Sequence, residues 1–120
     1  MKPAIVLVED DRWLAESYMR TLQSEFTVHS VSRAEEAIDI IDEEMPAAVV
    51  LDVVLDGGNG FALAHELQSH DDLSSIPVIL LTTLATELQQ QELRQYGVVS
   101  VLDKTTVKPP QLINEIKAII

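Results

Sequence analysis

Five short runs of apolar, mostly β-branched residues recur along the chain at near-regular intervals: Ala4 to Val8, Phe26 to Val31, Ala47 to Leu51, Val78 to Leu81 and Val98 to Leu102. Each has the length of a strand, and the segments between them carry apolar residues at helical spacing. Trp13, Leu14, Ser17, Tyr18, Thr21 and Leu22 form a stripe in the first such segment, and Ala37, Ile38, Ile40 and Ile41 form one in the second. The first, third and fourth runs are apolar without alternation, as in strands covered on both faces. Strand followed by helix five times, with right-handed crossovers, specifies an α/β fold: a doubly wound, five-stranded parallel sheet between two layers of helices.

Local punctuation supports this reading. Ser32 stands three residues before Glu35, the spacing of a capping box for the second helix. Gly97 follows Tyr96 where a left-handed cap would end the fourth helix, and Pro109 and Pro110 open the fifth. Pro46 and Pro77 precede the third and fourth strands. At 120 residues, with no repeat or linker-like tract, the chain is expected to be one domain over residues 1–120, without a tail. The apolar run Ala4 to Val8 is too short for a signal sequence or membrane span, so a cytoplasmic location is expected. The absence of cysteine excludes disulfides, Cys-ligated metals and thiol chemistry. Twenty acidic against eight basic residues give a net charge of −12, which argues against nucleic acid or anionic membrane as a direct partner.

In doubly wound sheets, ligands bind beyond the carboxyl ends of the strands. Those ends supply Glu9, Asp10 and Asp11 from the first strand, Asp52 from the third, Thr82 and Thr83 from the fourth, and Asp103 and Lys104 from the fifth. Carboxylates that converge there stay ionised only if positive charge compensates them. An oxygen-only set suits Mg²⁺, with Glu9, Asp10 and Asp52 as ligands and Lys104 as the remaining positive charge. Asp11 is expected instead to cap the first helix. His29, His65 and His70 are too scattered for a metal site, and Trp13 and Tyr18 read as core or partner-contact residues.

The segments Ile5 to Asp11, Ala48 to Leu55 with Gly57 and Gly60, Ile76 to Thr82, and Leu102 to Lys104 occur in the order and spacing of a known family. Over nearly its whole length the sequence resembles the receiver domains of two-component response regulators, the CheY-like (βα)5 sandwiches of flavodoxin-like topology. The resemblance implies that Asp52 is the phosphoacceptor and that Glu9, Asp10, Asp52 and the carbonyl of Val54 hold Mg²⁺. It implies that Thr82 hydrogen-bonds the phosphoryl group and that Lys104 pairs with it. The expected partners are a sensor histidine kinase or a histidine phosphotransfer protein, and an effector acting in trans or on a longer parent chain. A homodimer through the fourth helix, fifth strand and fifth helix also fits the family. Such a protein is a signalling switch rather than an enzyme.

Four positions depart from the family pattern. Asp56 stands where proline usually precedes Gly57, and Thr83 where a smaller residue follows the switch hydroxyl. Thr105 follows Lys104 where the family usually has a cis proline, so a trans peptide with a re-aimed lysine is expected. Val101 replaces the usual aromatic reporter. The apolar Val54 and Leu84 offer attacking water no hydrogen bond, which predicts slow autodephosphorylation. Three other readings compete. One is a phosphorylation-independent pseudo-receiver interaction module. A haloacid-dehalogenase-type phosphatase would need an aspartate where Val54 stands, and a flavodoxin-like cofactor domain would need a phosphate cradle where Glu9, Asp10 and Asp11 stand.

Overall fold

The computed structural model describes residues 1–55, 58–85 and 93–120. The strands are β1 (Ala4–Val8), β2 (Thr27–Val31), β3 (Ala48–Leu51), β4 (Val78–Thr82) and β5 (Val98–Asp103). The helices among the described residues are α1 (Arg12–Leu22), α2 (Ala34–Glu44), α3 (Gly60–Gln68) and α4 (Pro109–Ile119), the last being the helix expected fifth. A short antiparallel ladder pairs Val54–Leu55 with Gly58–Asn59, and a 3₁₀ turn spans Arg94–Tyr96. The sheet is wholly parallel in the order β2-β1-β3-β4-β5, which is the expected doubly wound α/β arrangement.

Side-chain alternation along the central strands divides the core in two. Val6, Val8, Val49, Leu51, Val78 and Leu80 pack against Ala37 and Ile41 of α2 and Leu63, Ala64 and Leu67 of α3. Ile5, Leu7, Ala48, Val50, Ile79 and Leu81 turn the other way, onto Leu22 of α1, Phe26, and Leu112 and Ile116 of α4. Both faces of β1, β3 and β4 are therefore dry, which is why these runs lack polar alternation.

The helix ends partly follow the expected punctuation. Asp11 caps α1, its carboxylate accepting a hydrogen bond from the Leu14 N–H at 3.1 Å. Pro109 and Pro110 occupy the first turn of α4. Gly97 has φ +76° and ends the 3₁₀ turn. The fourth helix expected ahead of it, with Gln89, Gln90 and Gln91, lies outside the described residues, as do Asp56 and Gly57.

Two expectations are corrected. The Ser32–Glu35 capping box does not form, because α2 starts at Ala34 and the Arg33 guanidinium takes the Glu35 carboxylate at 2.7 Å. The buried side of α1 runs through Ala15, Tyr18, Met19 and Leu22, at i, i+3, i+4 and i+7. Trp13, in the first turn, is out of phase with that stripe and 81% exposed, whereas Leu14, Ser17, Tyr18 and Thr21 line a small cleft against α4.

Candidate functional site

Register brings the strand ends together. Val8 pairs with Leu51, so Glu9 and Asp52 leave the sheet as neighbours, and the Asp52 N–H still reaches the Val8 carbonyl at 3.4 Å. Thr82 pairs with Asp103, and the Lys104 N–H donates to the Thr82 carbonyl at 3.0 Å. Parallel ladders thus deliver an acid, an acid, a hydroxyl and an amine to one edge.

The side chains complete the arrangement. The Lys104 ammonium lies 2.6 Å from Asp52 Oδ2 and 2.5 Å from Glu9 Oε1, bridging two buried carboxylates. Glu9 Oε2 accepts the Asp11 N–H at 3.1 Å, and Asp52 Oδ1 accepts the Val54 N–H at 3.4 Å. Thr82 is fully buried, and its Oγ1 accepts the Leu84 N–H at 3.2 Å, which leaves its own hydroxyl proton available. Burial raises the Glu9 carboxyl above its ordinary value despite the lysine beside it. Burial alone would lower the Lys104 ammonium, but its hydrogen bonds to Asp52 and Glu9 and their charges outweigh that and hold it above its ordinary value.

The expected residues are therefore brought together unevenly. Glu9, Asp52 and Lys104 form one contact network with Thr82 beside it, whereas Asp10 is exposed and Val54 is 60% exposed. Among the described residues, no three acidic or histidine side chains are gathered as a ready metal cage. The donor set nevertheless fits a hard cation: the oxygens are carboxylate and carbonyl only, and two of the carboxylates have already recruited a cationic group.

The peptide after Lys104 is trans, as expected, but the lysine is not re-aimed; it enters the site from a trans backbone. What holds that backbone escaped the sequence reading. The Asp103 carboxylate accepts bonds from the Thr105 N–H at 2.8 Å and the Thr105 hydroxyl at 2.6 Å, which also hold the Asp103 carboxyl below its ordinary value. An Asp two residues before a Thr is a turn signal that could have shown this. Gly60 belongs to the family motif, and its reason is steric. A Cβ there would lie 2.1 Å from the Asp52 carbonyl oxygen and 2.5 Å from Leu51 Cδ1.

A sheet of this order, with acids beyond β1 and β3 and a lysine beyond β5, matches the response regulator receiver domain, whose family model covers residues 5–117. The chain belongs to that family. It is 33% identical to the transcriptional regulatory protein GltR of Pseudomonas aeruginosa, over 98% of this chain and 48% of GltR. It is 31% identical to the phosphate regulon transcriptional regulatory protein PhoB of Rhizobium meliloti, over 100% of this chain and 53% of PhoB. The chain thus spans about half the length of these relatives. The non-phosphorylated HemR receiver domain from Leptospira biflexa superposes with a TM-score of 0.83 at 29% identity, over 98% of this chain and 94% of that one.

Proposed function

We propose that this receiver domain, residues 1–120, is a phosphoacceptor switch in which Asp52 takes a phosphoryl group from a phosphohistidine. The observation that carries the reading is the buried Asp52 carboxylate held by the Lys104 ammonium at 2.6 Å, on the sheet edge that also presents Glu9 and Thr82. An ionised carboxylate needs no general base. One Asp52 oxygen attacks phosphorus, the phosphorus–nitrogen bond breaks, and its electron pair returns to the imidazole of the donor. Lys104 stabilises charge on the phosphoryl oxygens, and the free Thr82 hydroxyl proton is donated to one of them. Glu9, Asp10, Asp52 and the Val54 carbonyl would hold Mg²⁺, which supplies charge neutralisation and alignment when bound.

The donor is a sensor histidine kinase or phosphotransfer protein, and the altered surface changes binding to an effector in trans or on a longer parent chain. A homodimer through β5, α4 and the helix expected ahead of β5 is a second outlet. The switch is cytoplasmic and turns over only its own phosphoryl group. Incubation with acetyl phosphate and Mg²⁺ is expected to add the mass of one phosphoryl group to the intact protein. Asp52→Asn, or chelation of Mg²⁺, is expected to abolish the gain; an unchanged gain in Asp52→Asn would refute the assignment.

The lifetime of the phosphorylated form follows from its walls. Leu84 packs on the core beside the site and Val54 is apolar, so neither orients a water for attack. Leu84→Glu and Val54→Asn are each expected to shorten the phosphoryl half-life by several-fold to about tenfold, since orienting one water is a modest share of the barrier. The decay of phosphorylated protein, followed by mass after donor removal, measures it.

A further inference from the structure

Lys104 is one residue beyond the end of β5, on a long side chain, and yet its ammonium is held against two buried carboxylates. A lysine side chain has many rotamers open to it, so its aim depends on how firmly its backbone is fixed. Five hydrogen bonds fix that backbone, and none of them uses the Lys104 side chain. The Asp103 carboxylate accepts from the Thr105 N–H at 2.8 Å and the Thr105 hydroxyl at 2.6 Å. The Asp103 carbonyl accepts from the Thr106 N–H at 3.2 Å and the Val107 N–H at 2.9 Å, while the Lys104 N–H donates to the Thr82 carbonyl at 3.0 Å. Lys104 is thereby clamped on one side to β4 and on the other inside a closed turn.

We propose that Asp103 and Thr105 are positioning residues for Lys104: their hydrogen-bonded turn aims the ammonium at Asp52 from a trans backbone, in place of a proline after the lysine. The bonds that Asp103 accepts from Thr105 are exposed, whereas the contacts of Lys104 with Glu9 and Asp52 are buried. Asp103 acts only through the lysine. Thr105 suits the role because its β-branched side chain is stiff about χ1 and returns a hydroxyl to the same Asp103 oxygen. The inference deepens the phosphoacceptor reading and rests on it for its kinetic consequence, but the aim of the lysine can be observed without any phosphorylation.

The test compares wild type, Asp103→Ala, Asp103→Asn and Thr105→Val, each labelled with ¹³C and ¹⁵N at lysine. In wild type the Lys104 ammonium should be slow to exchange and its ε resonance distinct from those of exposed lysines. In Asp103→Ala that resonance is expected to collapse toward the exposed lysines while the melting transition stays cooperative, and phosphorylation by acetyl phosphate should slow about tenfold or more. Asp103→Asn, whose side-chain carbonyl accepts the same bonds, should restore both, and Thr105→Val, which lacks only the hydroxyl bond, should fall between. A Lys104 resonance and a phosphorylation rate unchanged in Asp103→Ala would overturn the proposal, as would failure of Asn to restore them. Absence of phosphorylation in wild type would instead count against the phosphoacceptor reading and leave the lysine signature to decide this one.

Discussion

Lys104→Met is expected to destabilise the metal-free protein by about 3–5 kcal/mol, because it removes the one cationic partner that this network gives two buried carboxylates. The exposed side-chain fractions are 2% for Glu9 and 9% for Asp52, so water does not replace the missing charge. Three controls identify the cause. Mg²⁺ should recover much of the loss, since a cation bound only by the folded state stabilises it. Wild type should gain less from the same Mg²⁺, its carboxylates being already compensated. Lower pH should also narrow the deficit. Burial raises the Glu9 carboxyl above 4.5 and Lys104 opposes that rise, so without the lysine it rises further, and the variant gains more stability than wild type as pH falls through its folded value toward 4.5. At the other extreme, the contribution of Lys104 is present below 10.5 wherever Glu9 and Asp52 are ionised and fades as pH rises through its elevated folded value. Urea denaturation in chelator and in Mg²⁺, at neutral and at mildly acidic pH, measures all of this. Equal stability of wild type and variant in chelator would show that the bridge carries no weight.

Gly60→Ala is expected to damage the site at its base. Its new Cβ would meet backbone, the Asp52 carbonyl oxygen at 2.1 Å, and a packed Leu51 methyl, neither of which can swing aside. The Gly60 N–H also donates to the Val53 carbonyl at 2.7 Å, so the start of α3 is tied to the segment that carries Asp52. Relief requires either α3 or Asp52 to shift, at a cost of about 1–3 kcal/mol. A displacement near 1 Å of an attacking group can cost about a hundredfold in rate. Phosphorylation by acetyl phosphate should therefore fall by one to two orders of magnitude, more than the fraction of unfolded protein explains. Denaturation and phosphorylation rate, measured on one preparation, separate the two effects.

The sheet was legible in the sequence because its signal is redundant. Ala4 to Val8 and Ala48 to Leu51 are apolar on both faces, and only a doubly covered strand tolerates that. The strand ends were legible for a related reason: Glu9 and Asp52 break apolar runs abruptly, and topology alone makes such breaks converge. Less visible were effects set by a single partner. The start of α2 moved because Arg33 competed for Glu35, and composition does not rank such local pairs. Trp13 suited the apolar stripe by residue type, but the phase of α1 is set by Ala15, Tyr18, Met19 and Leu22 against the sheet. The missing proline alone implies a re-aimed Lys104, whereas the bonds that Thr105 donates to Asp103 do the fixing.

Borohydride reduction of protein phosphorylated with acetyl phosphate and Mg²⁺, followed by peptide sequencing by mass spectrometry, tests the central claim most directly. Hydride reduces an aspartyl phosphate to homoserine and leaves unmodified aspartate intact. The expected result is homoserine at position 52 alone, only when Mg²⁺ was present. Homoserine at Asp10, Asp11 or Asp103, or no homoserine in folded protein that binds Mg²⁺, would contradict the assignment of Asp52 as the phosphoacceptor.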